Sequence, residues 1–293
     1  MGKKFNIGID LGGTKIETIV LEDQLPIFRD RIPTEAEKGP DHILNQISKI
    51  YKQALKVFES NDFSVGICTP GSIAPDTKLL RNSNTTCLNG TALLTMIEEK
   101  LNHNVNIEND ANCFALAEAT LGAGKSHELV FGIIMGTGCG GGFVFNNKLR
   151  LGPNLISGEW GHSVLYPDGN ECYCGKRGCV ETYISGGGIE TQLKNYGINY
   201  SAKEFLNNKN KNGLEMQIFD EFMNNFGRSV ANIVNSIDPD IIVLGGGLSN
   251  LANLYNDGNK EIQKYVFSES FKTPIVMNEL GDSAGVFGAA LLK

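Results

Sequence analysis

A sequence pattern that occurs twice constrains the fold more than any other feature of the sequence. Each copy is a short apolar strand that runs into a glycine turn and then returns as a second strand. The first copy is Gly8-Ile9-Asp10-Leu11-Gly12-Gly13-Thr14, and the second is Gly132-Ile133-Ile134-Met135-Gly136-Thr137-Gly138. Such a turn exposes backbone N–H groups that can hold a phosphate. Two of them predict two related α/β lobes, each aiming a phosphate loop into a shared cleft.

Apolar spacing along the remaining chain alternates between strand and helix periods, which predicts a mixed sheet in each lobe. We predict the first lobe over residues 1–121 and the second over 122–282, with a helix at 283–293 returning to the first lobe. A third glycine turn, Gly245-Gly246-Gly247, follows the strand predicted at 241–244. Further strands are predicted at 5–10, 16–21, 64–68, 105–107, 129–135 and 143–145, and further helices at 42–58, 91–101, 111–121 and 222–236.

Composition excludes several classes of protein. Hydrophobic residues make up 41% of the chain, the net charge is −7 and the pI is about 5.2. This balance argues against a nucleic-acid surface, which normally carries a basic stripe. No segment approaches the run of apolar residues that a membrane helix needs, and the first strand follows Met1 closely without an apolar leader. We therefore expect a cytoplasmic protein without nucleic-acid or membrane partners.

Two nucleotide-binding motifs are matched only in part. Residues 119–126 end like a P-loop, but Ala119 replaces the required first glycine and the segment leaves a helix. Residues 136–141 fit the spacing of the dinucleotide fingerprint, yet they lead into Phe143-Val144-Phe145, which is strand sequence where the fingerprint requires a helix. Neither motif is adopted.

Three thiols and an imidazole lie within a short stretch of the second half. Cys172, Cys174, Cys179 and His162 offer sulfur and nitrogen ligands, the donors that favour zinc. Gly175 and Gly178 suit a knuckle that folds around a metal. The alternatives are a disulfide with one free thiol, or buried thiols without metal, although seven cysteines fit a disulfide framework poorly. Four ligands close the coordination shell, so the predicted zinc in the 162–179 knuckle is structural.

Five motifs together resemble the ROK family of sugar kinases and related repressors. They are Asp10-Leu11-Gly12-Gly13-Thr14-Lys15, Gly136-Thr137-Gly138, Gly158-Glu159-Trp160-Gly161-His162, the cysteine run ending in Glu181, and Asp238-Pro239-Asp240 before Gly245-Gly246-Gly247. The resemblance spans the whole chain. It implies a two-lobed, actin-like, hexokinase-type (ribonuclease H-like) α/β fold with mixed sheets, in which ATP and a hexose bind in the interlobe cleft. It also favours a homodimer.

Phosphoryl transfer to a hydroxyl needs a base, a clamp on the phosphates and Mg²⁺. Asp110, at a strand-to-helix corner, is the candidate catalytic base, and its alternative role is a helix cap. Asp10 is similar to the acidic residue that holds Mg²⁺ through water in the family, and its alternative role is a residue that only ends a strand. One carboxylate is enough, because Mg²⁺ keeps several waters.

Hexose recognition needs several polar groups, because each buried hydroxyl left unpaired costs about 1 to 3 kcal/mol. By resemblance, His162 has one nitrogen on zinc and the other toward the sugar. Three residues of the loop after the third strand are expected to close over the substrate, or else to be ordinary turn residues. The predicted hexose contacts are Gly71, Ser72, Asn84, Asn109, Asp110, Glu159, His162 and Glu181.

The glycine turns are the predicted nucleotide contacts, through backbone amides and hydroxyls. Lys15 either pairs with phosphate or is a solvated turn lysine. The predicted nucleotide and magnesium contacts are Asp10, Gly12, Gly13, Thr14, Lys15, Gly136, Thr137, Gly138, Gly246 and Gly247.

The identity of the hexose is the least constrained prediction. Residues 82–90 and 281–290 look most like those of bacterial fructokinases, which predicts fructose as substrate and fructose 6-phosphate as product. The helix opening at Glu108 resembles N-acetylglucosamine kinases equally well, so that sugar, or another hexose, is the alternative. A sugar-responsive repressor of the same family is disfavoured, since the first strand begins at about Phe5 without a preceding helix-turn-helix.

Overall fold

The computed structural model describes residues 4–293. Residues 1–3, the start of the predicted first lobe, lie outside this range. The chain divides into two compact units, one formed by residues 4–117 with Asp282–Lys293, and the other by Glu118–Gly281. The first unit is therefore discontinuous in sequence. The first crossing of the chain lies one helical turn before the predicted boundary at residue 121.

The described chain contains twelve strands and nine α-helices, joined by short 3-10 turns. The strands are β1 (Phe5–Leu11), β2 (Lys15–Glu22), β3 (Leu25–Pro33), β4 (Phe63–Thr69), β5 (Ser72–Ile73), β6 (Leu80–Arg81), β7 (Asn106–Asn109), β8 (Leu129–Met135), β9 (Cys139–Phe145), β10 (Lys148–Leu149), β11 (Ile241–Gly245) and β12 (Ile275–Met277). The helices are α1 (Pro40–Ala54), α2 (Leu93–Leu101), α3 (Asp110–Leu121), α4 (Glu181–Ile184), α5 (Gly186–Asn195), α6 (Ala202–Asn207), α7 (Gly213–Ile237), α8 (Asn253–Gln263) and α9 (Ala284–Leu291).

Each unit is built on a five-stranded sheet, and the two sheets have the same order. The first is β3-β2-β1-β4-β7 and the second is β10-β9-β8-β11-β12. In both sheets a three-stranded antiparallel meander is extended by two strands parallel to its first member. Two related lobes with mixed sheets, predicted from the two glycine turns, are thus confirmed. Among residues 4–293, no helix has the length and hydrophobicity to cross a bilayer.

Helices cover the sheets with the faces that their apolar spacing predicts. In the first unit, Ile43, Ile47 and Ile50 of α1 are completely buried in the core that also holds β1 and β4. Burying a side chain of this kind is worth about 1.5 to 3 kcal/mol. At the other end of the chain, α9 packs against β1 and β4 of the same unit. The first unit is complete only when the last residues of the chain are in place.

The longest helix, α7, begins nine positions before the predicted start at Phe222. Asn212 caps it, and a reciprocal hydrogen bond from its backbone N–H to Glu215 completes a capping box. The apolar face of the helix continues across Ile218, so the prediction was too short because the capping signal was not used. Strand β3 was not predicted, since its residues are mostly exposed and prolines stand near both of its ends.

Glu118 holds together the two segments through which the chain passes between the units. It is the first residue of the second unit, and its side chain is completely buried. Its carboxylate accepts the backbone N–H of Ala123 at 2.9 Å and those of Glu279 and Leu280 at 3.1 and 2.9 Å. The second crossing follows directly, at Gly281. Sequence analysis did not single out Glu118; its only signal is an acidic residue in the apolar last turns of α3.

Candidate active site

The candidate residues of the first unit collect at the carboxyl ends of three neighbouring parallel strands. The register pairs Asp10 on β1 with Cys68 on β4, and Thr69 at the end of β4 with Asn109 on β7. Because parallel strands end at the same edge of a sheet, Asp10, the loop after Thr69 and the start of α3 lie at one edge. This is the usual position of ligand sites in α/β sheets.

Asp10 lies in a poorly solvated environment. Its pKa is raised from 3.8 to about 6, mainly by burial and also by the nearby carboxylates of Asp110 and Glu17, while a hydrogen bond with Cys68 and the charge of Lys15 act in the opposite sense. The N-terminal end of α9 causes part of this burial, since a Cβ atom on Gly285 would lie 2.9 Å from Oδ2 of Asp10. A carboxylate in this environment is stabilised in its charged form by a bound cation.

Glu17 is a further buried carboxylate that sequence analysis missed. It lies opposite Asp10 on β2, with 1% of its surface exposed. Its oxygens are 2.5 Å from Nε of Arg29 and 2.6 Å from Nη2 of Arg31, both on β3, and it also accepts a hydrogen bond from Ser283. The arginines balance the charge of Glu17 beside Asp10. The signal for this group was an acidic residue in the middle of a strand whose residues are mostly apolar and buried.

The cap of α3 differs from the prediction. The side-chain oxygen of Asn109 accepts the N–H of Asn112 at 2.7 Å, which is the geometry of an N-cap. Asp110 accepts the adjacent N–H of Ala111 at 2.9 Å. Asn109 is therefore the main cap of α3, because the helix begins one residue earlier than predicted. The alternative role of Asp110, as the helix cap, is filled mainly by this neighbour. Asn109 was predicted only as a hexose contact.

Thr34, a completely buried residue directly after β3, holds the first glycine turn. Its hydroxyl donates to the carbonyl of Gly12 at 2.6 Å, and its N–H donates to the carbonyl of Thr14 at 3.0 Å. Gly13 and Thr14 at the tip are exposed. Asn84 lies alongside, since a Cβ atom on Gly13 would be 3.8 Å from its Oδ1. The structure therefore brings this predicted hexose contact to the predicted phosphate loop.

Gly71 and Ser72 lie on the loop after β4, where a small two-stranded sheet of β5 and β6 begins. Gly71 has a φ of 82°. Ser72 pairs with Arg81 across the two strands, and Arg81 Nε lies 3.4 Å from its hydroxyl. Both residues are partly exposed and belong to the same edge of the first unit as Asp10.

The second unit repeats this arrangement with two glycine turns. Strands β8 and β11 are parallel, and the register pairs Ile134 with Gly245, so the turn at 136–138 and the turn at Gly246-Gly247 lie side by side. Thr137, Gly246 and Gly247 are exposed. The structure thus brings together the nucleotide contacts predicted in this unit.

The start of α5 and the carboxylate of Glu181 fix the second glycine turn. The N–H groups of Gly186 and Gly187 donate to the carbonyls of Gly136 and Thr137 at 2.7 and 3.0 Å. Glu181 Oε2 accepts the N–H of Cys139 at 2.8 Å. Glu181, predicted as a hexose contact, therefore also supports the base of the predicted nucleotide turn.

Trp160 anchors the segment that carries Glu159 and His162. Its ring is buried, packs edge-on against Phe131 at 5.9 Å between centroids, and donates from Nε1 to the carbonyl of Gly140 at 3.1 Å. Trp160 also begins a single 3-10 turn, Trp160–His162, and the N–H of His162 donates to the carbonyl of Glu159 at 3.1 Å. Glu159 is exposed and His162 is half-buried on either side of this anchor.

The four predicted metal ligands form one cluster, with ligand atoms all within 4.8 Å of one another. Cys172 Sγ lies 3.6 Å from His162 Nδ1, and Cys174 Sγ lies 3.6 Å from Cys179 Sγ. A tetrahedral shell with Zn–S bonds of about 2.3 Å spaces its sulfurs about 3.8 Å apart, so the cluster fits Zn²⁺. Burial raises the pKa of Cys179 to about 12, and a bound cation is what ionises such a thiol.

The knuckle has the backbone predicted for it. Gly175 and Gly178 have φ values of 84° and 73°. At Gly178 a side chain is also excluded by space, because a Cβ atom would lie 1.6 Å from the carbonyl oxygen of Tyr166. The predicted need for glycine at these two positions is confirmed.

Tyr173, which sequence analysis did not select, lies between two of the cluster's cysteines. Its hydroxyl is 3.0 Å from His162 Nε2, and its ring meets the imidazole edge-on, with centroids 5.2 Å apart. Partial desolvation, together with the charges of Glu181, Cys172 and Glu159, raises the pKa of Tyr173 to about 12. The phenol therefore hydrogen-bonds to one of the predicted hexose contacts, His162. No sequence pattern indicates this contact.

Known proteins match this chain over almost its whole length. The model of the ROK family matches residues 6–293. The N-acetyl-D-glucosamine kinase of Aliivibrio salmonicida (strain LFI1238) is 36% identical over 299 residues, which cover 98% of each chain. Two solved structures are 27% identical. A ROK hexokinase from Thermus thermophilus has a TM-score of 0.89 over 98% of this chain and 97% of its own. A ROK family glucokinase from Streptomyces griseus, in complex with glucose and AMPPNP, has a TM-score of 0.75 over 98% of each chain.

These matches cover both units and every predicted site residue. The structural likeness supports the actin-like, two-lobed fold class that the sequence motifs implied. The chain therefore belongs to the ROK family.

Proposed function

We propose that the protein transfers the γ-phosphoryl group of ATP to the 6-hydroxyl of N-acetylglucosamine. The observation that carries the choice of sugar is the 36% identity, over 98% of both chains, to an N-acetyl-D-glucosamine kinase. This similarity favours the alternative that the sequence analysis kept beside fructose. The residues that the reaction requires are present in both units.

In the first unit, Asp110 accepts the proton of the attacking hydroxyl, and the first glycine turn binds phosphate through its exposed N–H groups. Asp10 fits Mg²⁺, because a poorly solvated carboxylate oxygen is a hard ligand and the cation favours its charged form. When bound, Mg²⁺ supplies positive charge to the phosphates. Asn84, Asn109, Gly71 and Ser72 bind hexose hydroxyls at the same sheet edge.

In the second unit, the turns at 136–138 and 246–247 bind the nucleotide, and Glu159, His162 and Glu181 bind hexose hydroxyls. The hydrogen bond from the N–H of Cys139 to Glu181 supports this assignment of roles, because it places a proposed hexose contact directly beside the nucleotide turn. Carboxylates can accept hydrogen bonds from two sugar hydroxyls at once, which fixes the orientation of the ring.

Zn²⁺ on Cys172, Cys174, Cys179 and His162 is proposed to be structural. The four ligands leave no open position for substrate or water. Its effect on the reaction is to hold His162 Nδ1, which directs Nε2 away from the cluster and toward the hexose.

The test is an assay of ADP release with MgATP and a panel of sugars. The panel contains N-acetylglucosamine, N-acetylmannosamine, N-acetylgalactosamine, fructose, glucose and mannose. We expect kcat/KM to be highest for N-acetylglucosamine, by about tenfold or more over fructose, since one well-placed polar contact gives discrimination of this order or larger. Phosphorus NMR of the product identifies the phosphorylated hydroxyl.

Two controls separate the enzyme from a contaminant. Asp110→Asn should be inactive at the same concentration, and Glu269→Gln, which changes an exposed acidic residue, should behave as the wild type. A higher kcat/KM for fructose would refute the choice of sugar and leave the phosphotransferase activity in place. Absence of ADP release with every sugar would refute the activity itself.

A further inference from the structure

Tyr173 occupies the one nitrogen of His162 that the metal cluster does not use. His162 Nδ1 faces Cys172 Sγ at 3.6 Å, within the cluster, while Nε2 lies 3.0 Å from the hydroxyl of Tyr173. The phenol ring stands edge-on to the imidazole, at an interplanar angle of 83°. The side chain of Tyr173 is 72% exposed. Little apolar packing therefore holds the ring in this position besides its contacts with His162.

The chemistry of a metal-bound histidine assigns the proton. When Nδ1 is a metal ligand, the neutral ring carries its hydrogen on Nε2, so Nε2 is a donor. A single N–H directs one strong hydrogen bond. With the metal on Nδ1, the acceptor of this hydrogen is the oxygen of Tyr173, which lies 3.0 Å from Nε2. In the proposed function its acceptor is a hexose hydroxyl, so the two oxygens compete for one hydrogen.

We propose that Tyr173 sets the affinity for hexose by occupying His162 Nε2 in the unliganded protein, so that binding exchanges the phenol for a sugar hydroxyl. This inference rests on the proposed function. The carbonyl of Glu159, another predicted hexose contact, accepts the N–H of His162 at 3.1 Å, so Glu159 adjoins the residue at which the exchange occurs.

The exchange also makes Tyr173 a determinant of specificity. A sugar with a hydroxyl at the position facing His162 restores the hydrogen bond that it breaks. A sugar that lacks this hydroxyl leaves the N–H unpaired or fails to displace the phenol, and it loses affinity on either account. Discrimination between sugars at this position therefore depends on two hydrogen bonds: the one that Tyr173 makes with His162 in the unliganded protein, and the one that the sugar hydroxyl makes in its place.

Tyr173→Phe tests the exchange, because it keeps the ring and removes only the competing oxygen. We expect the Kd for N-acetylglucosamine, measured by calorimetry without ATP, to fall by about two- to tenfold, the value of one net hydrogen bond. KM should fall by a similar factor, and by more than any change in kcat. Zinc content, measured by mass spectrometry, should stay at the wild-type level. The matched control is Tyr200→Phe, an exposed tyrosine in the linker between α5 and α6.

Three outcomes would overturn this role. An unchanged Kd would show that the phenol does not compete. A raised Kd would show that Tyr173 binds the sugar directly. A loss of zinc would show that its hydroxyl orients His162 for the metal instead. Failure of the proposed function looks different, because the wild type would then bind none of the sugars while Tyr173→Phe retained its zinc.

Discussion

Replacing Glu118 by glutamine should destabilise the protein more than its conservative character implies. The carboxylate is completely buried, and its Oε2 accepts two N–H groups while Oε1 accepts a third. Glutamine offers one oxygen and one NH₂ group. If the oxygen keeps the pair of donors from Ala123 and Glu279, the NH₂ group faces the N–H of Leu280, and two donors then oppose each other.

The magnitude follows from these three hydrogen bonds. Leaving the part-buried N–H of Leu280 unpaired beside the NH₂ group costs about 1 to 3 kcal/mol, and the two remaining bonds lose their charge-assisted strength. Neutralising the side chain recovers part of the cost of burying a charge. We expect a net loss in the free energy of unfolding of about 2 to 5 kcal/mol.

Urea unfolding and amide hydrogen exchange measure this prediction together. The unfolding midpoint should fall, and the N–H of Leu280 should exchange faster than in the wild type, by a larger factor than amides in the core of β8. Glu269→Gln, at an exposed position, should change stability by less than about 0.5 kcal/mol. If Glu118→Gln changes stability as little as this control does, the carboxylate does not hold the two crossing segments, and our account is refuted.

Three further changes test the site. Asp110→Asn should lower kcat by about 10² to 10⁴ while hexose binding, measured by calorimetry, stays within about tenfold; retention of more than a few per cent of kcat would remove Asp110 as the base. Cys174→Ser should weaken zinc affinity by more than about 10- to 100-fold, which is the usual effect of removing a residue that only hydrogen-bonds to a zinc ligand, and it should lower both stability and sugar affinity. If mass spectrometry finds no zinc in the wild type, the proposed zinc site is wrong. Asp10→Asn should abolish turnover yet raise the free energy of unfolding at pH 8 by about 3 kcal/mol. The reason is that folding raises the pKa of Asp10 from 3.8 to about 6, so that above pH 6 the folded protein holds a charged carboxylate in an unfavourable environment. Between pH 4 and 6 the folded wild type binds a proton at Asp10 that the unfolded chain does not bind. The stability gained by the variant, measured by urea unfolding, should therefore shrink as the pH falls from 6 and vanish below about 4. A stability gain that is independent of pH would show that the charge of Asp10 is not its cause.

Much of the fold could be predicted because its signals are local. The strands that end in glycine turns, the apolar face of α1 and the positive φ values at Gly175 and Gly178 follow from short-range patterns. Strand β3 could not be predicted in this way. Its place in the sheet depends on pairing with β2, and most of its side chains face solvent.

The site residues that could be predicted are likewise those that lie close together in the sequence. Cys172, Cys174, Cys179 and His162 are close in sequence, so the cluster could be assembled from spacing alone. The contact of Tyr173 with His162, by contrast, depends on how the knuckle folds back on itself. Glu17 and Thr34 support Asp10 and the first glycine turn through strand pairing, which no linear motif records.

The return of α9 to the first unit has a consequence for how the protein is made. Residues 118–281 form a contiguous unit that can fold as soon as they leave the ribosome, whereas the first unit lacks the helix that covers β1, β4 and Asp10 until α9 has been made. The apolar faces of those strands stay uncovered throughout that interval. We therefore expect the second unit to complete its fold before the first, so that the carboxylate proposed to hold magnesium acquires its environment last.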